Sequence, residues 1–182
     1  MKRLAILLFA LALPCAATAT DYTLRPELSQ LSYGGVYQGA PFDGHFNQWT
    51  AAISYDPANL ASSKFDVNVT LASVKTKDND QNSALPGADF FNVAKFPVAH
   101  YVTTGFHKEG NLVIADGQLR LRGVTKPVSL TVVFTSKGPN ASLDVAGKVK
   151  RLHFGVGVGD YADTSVIGPE VTITAHLQLT AK

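Results

Sequence analysis

Alternation of apolar and polar residues with a period of two is the feature that most restricts the fold of this chain. The longest case lies near the C-terminus, where threonine, histidine and glutamine alternate with Val171, Ile173, Ala175, Leu177 and Leu179. Successive side chains of a β-strand point to opposite faces, so this pattern predicts a strand with one buried and one wet face. No window longer than about ten residues shows the 3.6-residue period of a helix. The chain is therefore expected to be mainly β.

The same alternation recurs along the chain. It is clear over residues 65–71 and 128–135, and further strands are predicted near residues 30–38, 46–55, 98–107, 111–122 and 143–150. About eight antiparallel strands, each with one apolar face, can close into a barrel whose interior holds side chains or one small ligand. The expected fold is an eight-stranded antiparallel barrel. Residues 78–93 interrupt the alternation and predict a loop with a short helix over one end of it.

The N-terminus has the features of an export signal. A basic start, an apolar run from Leu4 to Leu13 and a small-x-small site ending at Ala19 predict a signal peptide over 1–19 and a mature domain over 20–182. The alternative, that Cys15 is the lipidated cysteine of a lipoprotein, is disfavoured by the proline directly before it. A membrane-spanning helix needs about 20 apolar residues, and no later segment is apolar for that long, so no stable membrane span is expected.

The charge balance and the single cysteine bear on which partners and which chemistry are expected. Removing Lys2 and Arg3 with the signal leaves 14 basic residues against 14 acidic ones. This balance gives no electrostatic basis for binding nucleic acid. Cys15 is the single cysteine and would leave with the signal, which excludes disulfides and thiol chemistry in the mature domain.

No motif predicts catalysis, a metal site or a cofactor. The histidines lack the spacing of a zinc site, and structural roles are expected for His45, His100, His107, His153 and His176. No Gly-x-Ser-x-Gly motif of a serine hydrolase occurs. The protein is not expected to be an enzyme. A rival hypothesis, catalysis on a lipophilic substrate inside the barrel, would have His100, His107 or Tyr37 as its candidate residues.

Two further patterns receive structural interpretations. The glycines of residues 154–160 are not followed by a helical period, so a flexible strand or bulge is favoured over a phosphate-binding loop. The basic cluster of Lys148, Lys150 and Arg151 is expected to be a solvated strand edge.

Large aromatic residues are abundant outside the clearest strands. They are Tyr33, Tyr37, Phe42, Trp49, Phe90, Phe91 and Phe96. Two interpretations have equal support: these rings plug the ends of the barrel, or some of them line the mouth of a tunnel for an apolar molecule.

Several segments in order resemble the YceI-like polyisoprenoid-binding family. They include Ser29-x-x-x-Tyr33, the Phe-Phe-Asn-Val-x-Lys-Phe-Pro run at 90–97, the Gly-Val-Thr-Lys-Pro turn at 123–127 and Arg-x-x-Phe-Gly at 151–155. The resemblance implies a lipocalin-like barrel with a helix near one end, export to the bacterial periplasm, and a tunnel for long isoprenoid or amphipathic lipids. Tyr37 stands where many members carry a histidine.

The leading hypothesis is a periplasmic protein that binds or carries a long-chain isoprenoid or other amphipathic lipid, of polyprenyl or quinone type. The predicted tunnel wall comprises Phe65, Val67, Val69, Leu130, Val132, Phe134, Ile173 and Leu177, and the predicted mouth comprises Tyr37, Phe90 and Phe91. The alternative is a structural or interaction protein associated with a membrane cytochrome, whose barrel has no lipid tunnel. Pairing into a homodimer is left open.

Overall fold

The computed structural model describes residues 18–182, which contain eleven β-strands and one short α-helix. Residues 1–17, with Cys15 and most of the predicted signal peptide, lie outside the described residues. In chain order the elements are β1 (Thr20–Leu24), β2 (Gln30–Tyr37), β3 (Ala40–Phe46), β4 (Trp49–Tyr55), β5 (Lys64–Thr70), β6 (Val74–Thr76), α1 (Asn79–Ala84), β7 (Val98–Glu109), β8 (Leu112–Leu121), β9 (Val124–Lys137), β10 (Asn140–Lys150) and β11 (Glu170–Ala181).

The strands form one antiparallel sheet that closes on itself. β1 and β2 lie one after the other along the same edge of β11, with Leu24 opposite Leu179 and Gln30 opposite His176. In the same way β4 and β3 pair with β1 and β2, and β5 and β6 pair with β4 and β3. Three pairs of short strands therefore act as three long, interrupted strands. Together with β7 to β11 they make an up-and-down barrel of eight strands, so the predicted fold class is confirmed.

The two ends of the barrel are built differently. One end, here called the loop end, carries two long connections, the 77–97 segment with α1 and the 151–169 segment. The opposite end, here called the turn end, carries only shorter connections, at residues 56–63, 110–111 and 138–139. The predicted helix over one barrel end is α1, whose first turn is capped by the Asp78 carboxylate accepting from the N–H groups of Asp80 and Gln81.

Aromatic side chains fill the interior at the turn end. We call this group the aromatic plug, and it consists of Tyr22, Tyr55, Phe65, Phe106 and Phe134. The ring centroids of Tyr55 and Phe134 are 4.8 Å apart, and those of Phe65 and Phe106 are 4.9 Å apart. Tilted and edge-to-face contacts at these distances are favourable, and they close this end with side chains.

The alternation does not predict β1, β3 or β6. On the interior face of β3, Gly44 stands between Phe42 and Phe46 and interrupts the apolar pattern, and β6 is only three residues long. Both strands form because a neighbouring strand supplies hydrogen-bonding partners, β2 for β3 and β3 for β6. No helix among residues 18–182 is both long and apolar enough to cross a membrane.

Candidate functional site

A cavity of about 220 Å³ lies inside the barrel, between the aromatic plug and the loop end. One water molecule needs roughly 10–15 Å³ by the same measure, so the cavity is much larger than a packing defect. All eight long strands of the barrel contribute side chains to its lining, and nearly all of these are apolar. Among the described residues, Arg151 is the only charged side chain in the lining.

Six of the eight predicted wall residues line this cavity: Phe65, Val67, Val69, Leu130, Ile173 and Leu177. Val132 and Phe134 do not. Both face the barrel interior, but Val132 is packed in the core nearer the turn end and Phe134 belongs to the aromatic plug. The alternation predicts which face a side chain occupies, whereas contact with the cavity also depends on depth along the barrel axis.

Two of the three predicted mouth residues line the cavity, and the third does not. Phe90 and Phe91 line the cavity from the 77–97 segment, and Phe91 packs against Phe46 with ring centroids 5.8 Å apart. Tyr37 is 40% exposed and lies outside the lining, at the end of β2, where it forms an isolated bridge with Ile167. Of the other abundant aromatics, Tyr33, Phe42 and Trp49 line the cavity, whereas the turn end is plugged by a different set of rings.

The two long segments of the loop end are joined over the cavity. The N–H groups of Gly157 and Val158 both donate to the carbonyl of Asp89, at 2.7 and 3.0 Å. The ring of Tyr161 lies 4.7 Å from that of Phe90, and the Arg122 guanidinium donates to the Phe90 carbonyl. Phe90 is thus held in place by contacts from the 151–169 segment and from the β8–β9 hairpin.

Arg151 is not part of a solvated strand edge, and that expectation is wrong for this residue. It is 4% exposed, and its guanidinium donates to the carbonyls of Val156, Gly157, Ile167 and Gly168 at 2.7–3.1 Å. Burial lowers the pKa of this guanidinium. Backbone carbonyls, rather than a carboxylate, stabilise the cation and hold both ends of the 151–169 segment together.

The glycine-rich residues 154–160 do not form the expected strand or bulge. A short 3-10 helix over Arg151–Phe154 ends at Gly155, and the backbone φ angles of Gly155, Gly157 and Gly159 are +68°, +71° and +61°. These positive φ values are strained for residues with a Cβ, so the glycines allow consecutive tight turns that fold this segment over the barrel.

Two tyrosines of the lining lie across glycines of neighbouring strands. Tyr33 of β2 covers Gly44 of β3, and Tyr101 of β7 covers Gly117 of β8. In both cases the ring occupies the place where a Cβ would otherwise stand. Burial raises the pKa of both hydroxyls above the usual range of tyrosine, with a smaller contribution from Asp43 and Asp116 respectively. Both phenols are therefore neutral hydrogen-bond donors near neutral pH.

Three histidines lie outside the cavity lining, each beside an acidic residue. His100 contacts Asp66 at 2.8 Å, His107 contacts Asp116 at 2.9 Å, and His176 contacts Asp144 at 2.6 Å. The candidates of the enzyme hypothesis, His100, His107 and Tyr37, are therefore absent from the cavity wall. Within residues 18–182, no group of three or more His, Cys, Asp or Glu side chains is placed to hold a metal ion.

Solved structures with this architecture come from several bacteria. The chain superposes on BcnA from Burkholderia cenocepacia with a TM-score of 0.82 and 27% sequence identity, covering 86% of this chain and 99% of that one. A polyisoprenoid binding domain from Saccharophagus degradans matches with a TM-score of 0.67 and 17% identity, covering 90% of this chain and 99% of that one. The second likeness is one of fold alone.

Sequence relatives extend over most of the chain. Protein YceI from Escherichia coli O6:H1 is 30% identical over 156 residues, covering 78% of this chain and 78% of the relative. Protein YceI from Salmonella newport is 31% identical with the same coverage. The model of the YceI-like domain matches residues 22–179, which span the barrel from β1 to β11. On this match and on the closed eight-stranded barrel, the chain belongs to the YceI-like family.

Proposed function

We propose that this protein binds a long-chain isoprenoid or similar amphipathic lipid inside the barrel, of polyprenyl or quinone type, and carries it in the periplasm. The observation that carries the proposal is the cavity of about 220 Å³, walled by apolar side chains from every long strand and closed at one end by the aromatic plug. A cavity of this kind favours an elongated apolar molecule that enters from the loop end.

Burial of the tail alone supplies the binding energy. Each buried CH₂ contributes about 0.8 kcal/mol, so a chain of some fifteen carbons gives a gross term of roughly 12 kcal/mol before the losses of association are subtracted. Neither a metal nor a catalytic group is required.

Relatives and the N-terminus support the ligand class and the compartment. The similar domain from Saccharophagus degradans is described as polyisoprenoid binding, and its fold is shared by this chain. The basic start, apolar run and small-x-small site of residues 1–19 favour export, and carriage of a water-insoluble lipid is useful between two membranes.

The test is to purify the exported protein from a bacterial periplasm, extract it with organic solvent and identify lipids by mass spectrometry. We expect an isoprenoid lipid in the wild type. In Ala175→Phe, whose new ring fills part of the cavity, lipid recovery should fall several-fold, whereas Thr174→Phe on the exposed face of the same strand should retain it. An empty wild-type barrel that also takes up no added prenol or quinone would overturn the proposal.

The mouth is tested separately by the rate of lipid release. Phe90→Ala removes a ring that lines the cavity next to Tyr161, and we expect dissociation of a fluorescent prenyl lipid to become about five- to twentyfold faster. Leu112→Ala, which truncates an exposed apolar side chain near the turn end, is the matched control. Equal release rates in all three proteins would contradict the assignment of Phe90 to the mouth.

A further inference from the structure

Exposed apolar side chains are concentrated at the loop end of the barrel. Among the described residues, eight large apolar side chains are exposed, and five of them lie at this end, each 36–47% exposed. We call this set the apolar rim, and it consists of Val36, Tyr37, Val98, Val124 and Tyr161. The other three are Leu28 between β1 and β2, Val133 on β9 and Leu112 at the turn end. Single exposed apolar residues are ordinary, whereas their concentration at one end indicates a contact surface.

The apolar rim surrounds the barrel end and is not confined to one side of it. Val36 is on β2, Val98 begins β7 and Val124 begins β9, and these strands stand two or three positions apart around the eight-stranded barrel. Tyr161 is on the 151–169 segment, against Phe90. A protein that approached from one side would meet only part of this ring, whereas a lipid bilayer is broad enough to meet all of it.

The β2–β3 hairpin supplies the part of the apolar rim best suited to enter a bilayer. Its two-residue turn has positive φ at both positions, and on its strands Val36 pairs with Pro41 and Tyr37 pairs with Ala40. All four of these side chains are exposed. The N–H of Gly168 donates to the Val36 carbonyl at 2.8 Å, which fixes the hairpin to the barrel. A tip that is already ordered loses little conformational entropy on contact.

The hairpin also lacks charge, which distinguishes it from the rest of the apolar rim. Residues 28–42 contain no Asp, Glu, Lys or Arg, so the tip can enter lipid without desolvating a charge. By contrast Asp160 precedes Tyr161, and Lys126 follows Val124 by two residues. Those parts of the rim fit at the level of the lipid head groups, where water remains.

The cavity makes contact with a bilayer useful. Its wall presents apolar surface only, so a lipid held there keeps its tail inside and its polar head at the loop end. The aromatic plug fills the opposite end. When the apolar rim rests on a membrane, the tail can move between two apolar environments without being exposed to water.

We propose that the apolar rim docks the loop end on the surface of a lipid bilayer, with the tip of the β2–β3 hairpin inserted, and that lipid passes between membrane and barrel during this contact. The inference rests on the proposed function, because it requires a lipid in the cavity. The partner is the bilayer itself, not a protein within it.

The test measures transfer of a fluorescent geranylgeraniol analogue from the loaded protein to phosphatidylcholine vesicles that contain a quencher. Transfer during contact has a rate that rises in proportion to vesicle concentration, whereas release into water has a rate independent of it. We expect the first behaviour from the wild type. Because the hairpin tip is uncharged, the rate should change less than about twofold when salt or anionic lipid is added.

A charged hairpin tip should slow transfer. In Val36→Asp/Tyr37→Asp, neither altered residue lines the cavity, and we expect the contact-dependent rate to fall about tenfold or more. Affinity for the analogue in solution should stay within about twofold of the wild-type value. Leu112→Asp/Val133→Asp alters two exposed apolar residues away from the loop end and should transfer at the wild-type rate. Thermal unfolding verifies that both variants are folded.

Insertion is followed directly with a dye that responds to polarity. With Cys15 replaced by serine, a dye attached to Ala40→Cys is the only label on the chain. Its emission should shift to shorter wavelength when phosphatidylcholine vesicles are added, whereas the same dye on Leu112→Cys at the turn end should not respond.

The outcomes separate the two proposals. A wild-type rate independent of vesicle concentration, an unaffected hairpin variant, a silent dye at position 40 or transfer that requires anionic lipid would each overturn the docking and leave lipid binding standing. Transfer to native membranes but not to protein-free vesicles, abolished by protease treatment of the membranes, would overturn it in favour of a protein partner. Wild type that binds no analogue in solution would overturn the proposed function and the inference together.

Discussion

At the scale of single residues, the polar side chains of the cavity wall have distinct roles. Arg151 is a buried cation solvated by four carbonyl oxygens of the 151–169 segment. The charge pattern alone does not distinguish the three basic residues, but the period of two places the exposed Lys148 and Lys150 on one face and Val149 and Arg151 on the other. Of the three residues expected at a solvated edge, Arg151 is nevertheless the one that is buried. Its burial depends on contacts with residues up to Gly168, which become neighbours only after the segment has folded back. The role of Arg151 was therefore beyond prediction from charge pattern alone.

Replacement of this cation should be costly. In Arg151→Met the four carbonyls lose their donors, and we expect the free energy of unfolding in urea to fall by about 3 kcal/mol or more. Lys150→Met is the matched control, since Lys150 is exposed, and it should change stability by less than about 0.5 kcal/mol. A similar loss in both variants would show that the carbonyl contacts are not the cause.

The cavity tyrosines predict how stability depends on alkaline pH. The folded pKa values of Tyr33 and Tyr101 are raised above that of an unfolded tyrosine. Their stabilising contribution is therefore complete below about pH 10 and is lost as the pH rises above it, because only the unfolded chain then ionises. Each should remove about 1.4 kcal/mol per pH unit in that range. Urea unfolding of the delipidated protein at about pH 8, 10 and 11 measures this slope.

The double variant Tyr33→Phe/Tyr101→Phe is the comparison for that experiment. It lacks both titrating groups, so its stability should depend less steeply on pH above about 10 than that of the wild type. Identical slopes in the two proteins would mean that other groups control alkaline unfolding.

At the scale of elements, alternation predicts strands well where one face is apolar throughout, as in β5, β9 and β11. It fails for β3, which is shaped by its partner strands, and for the 151–169 segment, whose turns depend on glycine φ angles and on Arg151. Alternation predicts which face of the sheet a side chain occupies, but not its depth along the barrel axis. For this reason Val69 and Phe134 are both expected in the cavity wall, whereas Phe134 belongs to the aromatic plug. Depth is set by strand register and closure, and these are properties of the whole barrel.

Gly157 tests how the 151–169 segment is held. A Cβ at this position would stand 2.5 Å from a terminal nitrogen of Arg151, in addition to the strain of a positive φ. Gly157→Ala should destabilise the protein by about 2–4 kcal/mol and accelerate amide hydrogen exchange across the segment. Gly159→Ala carries similar backbone strain, but its nearest neighbour would be 3.6 Å away, so its effect should be about 1 kcal/mol. Equal effects would assign the loss to the backbone alone.

At the scale of the whole molecule, the barrel is a container with one end filled by the aromatic plug and the other covered by two interlocked segments. The cavity therefore has a finite length. Its closed end lies at the level of Phe65, which belongs to the aromatic plug and also lines the cavity. The length of lipid tail that the cavity can hold is therefore set by the distance between the aromatic plug and the loop end.

Lengthening the lipid tail should therefore raise affinity only until the tail fills the cavity. For a series of prenols, each isoprene unit that enters the cavity should raise affinity by about tenfold or more. The cavity of about 220 Å³ accepts roughly 15–20 carbons, so affinity should level off beyond that length. Displacement of a fluorescent lipid by prenols of increasing length measures the curve. Affinity that continues to rise with every added unit would require the tail to displace the plug.

The position of the chain ends has a practical consequence. The N–H of Lys182 donates to the carbonyl of Asp21 at 2.9 Å, so β1 begins and β11 ends side by side at the turn end. A tag or surface linkage attached after Lys182 therefore emerges at the pole opposite Phe90. Protein immobilised in this way presents the loop end to the solution, and ligand exchange with vesicles can be followed on a sensor surface without the linkage obstructing entry.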